Sequence, residues 1–268
     1  LPHHGAIQEV VYRVMISFLD TGSASVGANP LAYFNRLASK TRAGYEAQFA
    51  KDKTVRREID LFKEEAAKAK NADEFLNNYR ALSVATSAFG LEDAMEYGFR
   101  TRAIAKSDAT DPESTLNKFS DPRYREFNLA FEFFSKGVTK LQSTETQALI
   151  ERRYITNEYE RSLGRIDPLL QEAAYFVRRV GSATSLNALI SDPILFGVVI
   201  DTLGISRAAT GGDFNNLKAK IEKGFDMARI NDTAYIEKFA QRFLAIRSSQ
   251  QALSAGNPLV GVFFRGEA

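Results

Sequence analysis

Six of the seven prolines in this chain follow an Asp or an Asn: Asn29-Pro30, Asp111-Pro112, Asp121-Pro122, Asp167-Pro168, Asp192-Pro193 and Asn257-Pro258. An Asx side chain accepts a hydrogen bond from an orphan N–H of a first helical turn, and a proline at the first helical position has no N–H to leave unpaired. Each pair therefore marks a helix start. Five of them lead into apolar residues spaced near 3.6, as after Asp121, where Tyr124, Phe127, Phe131 and Phe134 are expected to share a face. The sixth, at Asn257, precedes only a short tail. Gly90 and Gly204 lie between apolar residues, the setting of a left-handed glycine that closes a helix. Alternating β-branched runs bounded by Asn-Gly or Asp-Gly turns are missing, so the chain reads as all-α and multihelical.

The helix map repeats. Tyr45 to Leu91 lies over Tyr159 to Ile205 without a gap at a shift of 114 residues, with Tyr45/Tyr159, Glu46/Glu160, Glu58/Glu172, Phe62/Phe176, Val84/Val198 and Gly90/Gly204 identical. Apolar character is kept at Phe49/Leu163, Val55/Leu169, Phe75/Leu189, Leu76/Ile190 and Phe89/Leu203. Further on the shift becomes 111, which pairs Asp121 with Asp232, Tyr124 with Tyr235 and Glu126 with Glu237. The slip falls after the glycine, where a connection tolerates a change of length. The expectation is an internally duplicated helical unit: repeat 1 over 30–140, repeat 2 over 141–247, an N-terminal extension over 1–29 and a C-terminal tail over 248–268. A period this long duplicates a domain-sized unit and does not build a solenoid.

Composition removes several chemistries. With no cysteine there is no disulfide, thiolate metal site or cysteine nucleophile, and the two histidines, His3 and His4, are adjacent near the start of the chain. Ser-His-Asp, Cys-His and multi-histidine metal sites are thereby disfavoured. Apolar residues at 44% and charged residues at 25% are the balance of a globular chain. A formal charge of +2, from 35 basic and 33 acidic residues, does not argue for a nucleic-acid or membrane partner. The densest apolar run, Ile194 to Ile200, is far shorter than a membrane span and contains Gly197. The first twenty residues lack the basic, apolar and small-residue order of a secretory signal. Met15 opens MISFL, which reads as a start and leaves LPHHG as an upstream extension or expression remnant.

Four local features invite a functional reading. Asp108, Asp111 and Glu113 resemble calcium-loop acids but lack the EF-hand spacing, so helix capping is the expectation. The basic pairs Arg56-Arg57, Arg152-Arg153 and Arg178-Arg179 neighbour acids such as Glu58, Glu151 and Glu158 and read as solvated, salt-bridged faces. Gly211-Gly212 follows no strand, so phosphate-loop fingerprints are missing and a connector is expected. The segments from Asp20 to Asn29 and from Ser248 onward are small and polar, the latter turning apolar at Leu259 to Phe264, and read as mobile or docked extensions.

The run Asn71-Ala-Asp-Glu-Phe-Leu-Asn-Asn-Tyr-Arg-Ala-Leu, continuing through Ser87-Ala-Phe-Gly-Leu-Glu-Asp, resembles an uncharacterised bacterial family, a domain of unknown function. So do Lys106-Ser-Asp-Ala-Thr-Asp-Pro-Glu-Ser, Asn117-Lys-Phe-Ser-Asp-Pro-Arg-Tyr-Arg-Glu-Phe and the upstream Val55-Arg-Arg-Glu-Ile-Asp-Leu-Phe. The likeness is good from Tyr45 to Phe134 and weaker over the second copy; Asn78 and Ala81 depart from the family's Asp and Leu. The family is mainly alphaproteobacterial and often encoded beside flagellar genes. The resemblance implies a helical, non-enzymatic structural, assembly or regulatory protein of the flagellar system. Such a protein would be cytoplasmic or flagellum-associated and act on a protein partner, with no nucleic acid and no membrane insertion. It carries over no catalytic residue, cofactor or metal. The alternative is a small-molecule enzyme using Asp or Glu with Arg or Lys.

Overall fold

In the computed structural model, residues 29–37, 39–206 and 211–254 are described, and they form helices and their connections with no strand among them. The described residues divide into two compact units, one of residues 42–161 and one of those up to 41 together with those from 162 onward.

The first unit is organised by α3 (Lys53–Lys68), with α2 (Ser39–Phe49) before it. Asp52 caps α3 by accepting from the N–H groups of Thr54 and Val55, and Val55, Ile59, Phe62 and Ala66 form its buried stripe. That spacing of four, three and four keeps one face inward, with Ile59, Phe62 and Ala66 fully buried. Against it pack α4 (Ala72–Asn77) and α5 (Tyr79–Ser87). Then follow a 3₁₀ segment Glu92–Tyr97, α6 (Gly98–Ala105), α7 (Pro122–Phe131), α8 (Phe133–Lys136) and the start of α9 (Thr144–Ile166). Phenylalanines fill the centre. Phe75 meets Phe62 edge-on at 5.9 Å, Phe127 meets Phe131 at 5.4 Å, and Phe131 stacks on Phe133 at 5.3 Å. Such pairs add roughly 1 kcal/mol each beyond the burial of their area.

Side-chain amides close helix ends inside this unit. Buried Asn128 donates from one nitrogen to the carbonyls of Ile104 (2.9 Å), Ala105 (3.2 Å) and Ser107 (3.0 Å) at and just beyond the end of α6, where carbonyls run short of helical partners. Gln142 does the same for Ala66, Ala67 and Ala69 at the end of α3.

In the second unit α1 (Pro30–Arg36) packs on α10 (Pro168–Arg179) and α14 (Thr233–Ser254), and α10 and α14 pack on each other and on α12 (Pro193–Thr202). Two further helices, α11 (Leu186–Ser191) and α13 (Phe214–Gly224), complete it. Its core joins Phe176, Phe225 and Phe239, with Phe225 edge-on to Phe239 at 4.9 Å. The carboxylate of Asp192, buried at the head of α12, accepts from the N–H groups of Ile194 and Leu195 and from the hydroxyl of Tyr175 at 2.7 Å. Three donors offset its desolvation.

Asn29, Asp121, Asp167 and Asp192 each cap a helix with proline at its start. Asp111 does not. It accepts from the N–H of Glu113 within an exposed turn, and Asp108 likewise accepts from the N–H and hydroxyl of Thr110, so these acids build Asx turns and cap no helix. Phe134 also departs from expectation: Glu132 takes a left-handed conformation with φ of 47° and ends α7, so Phe134 leaves the face of Phe127 and Phe131 and is 64% exposed. Residues 248–254, assigned to the tail from sequence, extend α14, whereas Asn257-Pro258 and Leu259 to Phe264 lie outside the described residues, as does Asp20 to Val26.

Local features recur at the 114-residue shift. Helices α4 and α11 correspond end for end, with Asn71 and Ser185 as caps; Asn78 and Asp192 cap the helices that follow. Gly90 and Gly204 have φ of 68° and 65°, and beyond each the next N–H reaches back to a carbonyl five residues earlier, Leu91 to Thr86 and Ile205 to Ile200. At this shift α1 corresponds to the first turns of α9. Yet α1 packs in the unit that contains 162–254, and residues 144–161 of α9 pack in the unit of 42–161. The leading helix of each half thus sits in the compact unit built from the other half.

Candidate functional site

Two groups of polar residues in the unit of 42–161 have properties that packing alone does not require. The first is a shallow cleft over the opening turns of α3, lined by Lys51, Lys53, Arg56, Arg57, Asp60, Leu61, Glu64 and Arg80. Arg56 and Lys63 both reach Glu151 of α9, each at 2.5 Å, and Arg80 reaches Glu58 at 2.7 Å. Burial pushes the Glu151 carboxyl up, but the hydrogen bonds and charges of Lys63 and Arg56 outweigh it and hold the group below the usual carboxylate range. The predicted salt-bridged face is therefore present at Arg56, but its partner is 95 residues away in sequence and not an adjacent acid.

The second group lies where α5 and the Glu92–Tyr97 segment meet α9. The Ser87 hydroxyl is 3.2 Å from a Glu92 oxygen and 3.0 Å from a Glu158 oxygen, and it accepts from the Asn157 side-chain amide at 3.2 Å. Asn157 also donates to Glu92. One hydroxyl proton serves only one carboxylate at a time. Arg161 donates to Glu158 at 2.6 Å. Burial pushes the Glu92 carboxyl above its ordinary range against the pull of Arg161 and Asn157, and burial with the nearby Glu158 and Glu58 carboxylates pushes the Tyr154 phenol up. Chemically, the cluster sets a carboxyl that burial makes harder to ionise against a hydroxyl, and it ties α9 to α5. Sequence reasoning missed it because its members come from positions 87, 92 and 157–161, with no local spacing to relate them.

Aromatic side chains also reach the surface here. Phe99 is 83% exposed and Tyr97 54%, and the Arg100 guanidinium stacks 4.2 Å from the Tyr97 ring centroid and 5.4 Å from that of Phe119. The remaining sequence features resolve simply. Arg153 pairs with Glu126 at 2.9 Å and lies over the Phe89 ring; Arg178 lies over Tyr175. Gly211 and Gly212 precede Asp213, which caps α13 as a connector's last residue would. Among the described residues no three of His, Asp and Glu gather as they would around a metal ion, and no helix is long and apolar enough to cross a membrane.

The fold occurs elsewhere. The crystal structure of protein AGR_C_984 from Agrobacterium tumefaciens superposes with a TM-score of 0.72 at 23% identity, covering 85% of this chain and 98% of that one. No curated protein matches the sequence. The model of the family described as "Protein of unknown function (DUF1217)" matches residues 88–236, which take in Glu92, Tyr97, Phe99 and the Asn157–Arg161 turn. More than half of the chain lies within that match, and the protein belongs to the DUF1217 family.

Proposed function

We propose that this protein is a non-enzymatic structural, assembly or regulatory component associated with the bacterial flagellar system, and that it acts by binding another protein. The observation that carries the binding role is the aromatic corner: a phenylalanine 83% exposed beside a half-exposed tyrosine stacked by an arginine. Exposed Phe and Tyr beside a partly buried Arg are among the residue types that dominate protein interfaces, and water contact with so much apolar surface is unfavourable unless a partner covers it. The flagellar association is supported by the resemblance of Asn71–Asp93 and Lys106–Phe131 to a family encoded beside flagellar genes. The same reading takes the two halves as copies of one helical unit, which the recurring caps and left-handed glycines support.

The test is deletion of the gene in a motile host, with swimming and filament assembly scored, followed by complementation with the wild type and with Tyr97→Ala/Phe99→Ala. Loss of motility restored only by the wild type is expected; full motility and assembly in the deletion strain would overturn the proposal. A small-molecule enzyme is the second reading, favoured by the raised carboxyl of Glu92 facing Ser87. It requires a turnover that Glu92→Gln abolishes while the fold is kept.

A further inference from the structure

The cleft over α3 has a charge arrangement that costs stability. Five of its lining residues are cationic (Lys51, Lys53, Arg56, Arg57 and Arg80) and two are acidic (Asp60 and Glu64). Of the cations, Arg56 and Arg80 are held by Glu151 and Glu58, and Glu64 is taken by Lys68 at 2.5 Å. Lys51, Lys53 and Arg57 are exposed and meet no carboxylate within ion-pair distance among the described residues. Nearby Asp52 turns Oδ1 to the N–H groups of Thr54 and Val55 and forms no ion pair with these cations. Lys53, Arg56 and Arg57 also occupy the opening of a helix with no acid in its first turn, where a positive side chain opposes the helix dipole. Like charges are thus gathered where both their neighbours and the helix disfavour them.

We propose that this cleft is a docking surface for an acidic segment of a partner protein, a proposal that rests on the interaction role above and names one surface for it. Three features select that occupant. Arg56 and Arg80 are pre-oriented by carboxylates behind them, and each guanidinium has five N–H donors, so donors remain for an incoming carboxylate. Half-buried Leu61 gives the cleft an apolar patch that a side chain of a mixed peptide covers and a simple anion does not. Asp60 and Glu64 also line it, and a lining of mixed charge suits a segment that sets apolar residues beside its acids better than a phosphate backbone of uniform charge. From Lys53 to Glu64 the helix runs about 16 Å, the reach of a short peptide segment and not of one phosphate group.

The test uses the full chain and a fluorescein-labelled, helix-forming peptide of about eleven residues built from Glu and Leu, whose helical length matches that span, with binding read by anisotropy. Lys53→Glu/Arg57→Glu is expected to weaken binding at least about tenfold, and Lys53→Gln/Arg57→Gln to weaken it less. Lys220→Glu/Lys223→Glu, on exposed positions of α13, is expected to leave it unchanged. Melting temperatures of the cleft variants should equal or exceed that of the wild type. Equal weakening by the α13 control would mean unspecific charge attraction and overturns the proposal, as does no binding, or a single-stranded oligonucleotide or inorganic phosphate that displaces the peptide more readily than unlabelled peptide. If peptide binding fails while gene deletion still abolishes motility, the cleft assignment falls and the interaction role stands.

Discussion

Two glutamates, Glu151 on α9 and Glu92 bound to Asn157 of α9, have opposite effects on stability, and pH separates them. Glu92 is pushed above its ordinary value of 4.5 by burial, so the folded state binds its proton more tightly than the unfolded chain does. The cost of ionising it is fully present above its folded pKa and disappears as pH falls through that value to 4.5. Glu151 is held below 4.5 by Lys63 and Arg56; its contribution is present above 4.5 and is lost as pH falls through its folded pKa. Glu92→Gln, which keeps an oxygen to accept from Ser87 and Asn157, should therefore raise stability at pH 7 by on the order of 1 kcal/mol and change little at pH 4. Glu151→Gln should lower it at pH 7 by less than about 1 kcal/mol, since its partners are partly exposed, with the loss fading on acidification. Urea unfolding at both pH values decides this; a loss of stability for Glu92→Gln at pH 7 would show that its ionised form is the one the fold requires.

At the scale of the helix, conformation and space make separate demands on glycine. Gly204 closes α12 at a φ of 65°, and a Cβ there would meet nothing within 4 Å. Gly204→Ala should therefore cost about 1–2 kcal/mol from backbone strain alone, and Gly204→Asn less, because Asn tolerates the left-handed region. Gly44, exposed within α2 and also clear of neighbours, should give the opposite sign: Gly44→Ala gains about 0.5–1 kcal/mol of helix propensity. Denaturant midpoints of the three variants test this, and a destabilising Gly44→Ala would contradict it. Gly204 and Gly90 were legible in the sequence because a left-handed glycine sits between apolar residues, and four of the Asx-Pro starts because cap and proline are adjacent. The break at Glu132 was not, since nothing in a glutamate announces a φ of 47°. Asp111 was misread because an Asx turn and an Asx cap make the same short hydrogen bond, and only the following residues decide whether a helix continues. The Ser87–Glu92–Asn157 cluster and the Arg56–Glu151 pair depend on contacts over 65 to 95 residues, beyond the reach of any local pattern.

Across the whole chain, the boundaries suggested by the repeat and those of the compact units differ for one reason, the placement of the leading helices. The repeat would be cut near 30 and 141, ahead of α1 and α9; the compact units divide at 41/42 and 161/162, within α2 and α9. Ile150 and Tyr154 of α9 belong to the core of the first unit, together with Phe62, Phe75 and Phe131, and Glu151 and Asn157 add polar contacts to it. Tyr33 and Phe34 of α1 are buried in the second unit, which α1 joins by packing on α10 and α14. A fragment of residues 30–140 therefore keeps a helix whose partners are gone and loses the one that completes its own core, while residues 42–161 keep a complete set. Losing two large buried side chains costs several kcal/mol, a sizeable part of the total stability of a domain this size. Fragment 42–161 should unfold cooperatively with slow amide exchange along α3, and fragment 30–140 should exchange rapidly throughout. Within the intact chain, Phe34→Ala should reduce protection in α10 and α14 by about 3 kcal/mol and leave α3 unaffected, whereas Ile150→Ala should do the reverse. Hydrogen exchange resolved by peptide distinguishes the two patterns, and equal loss of protection in both units from either substitution would mean that the leading helices are not assigned as described.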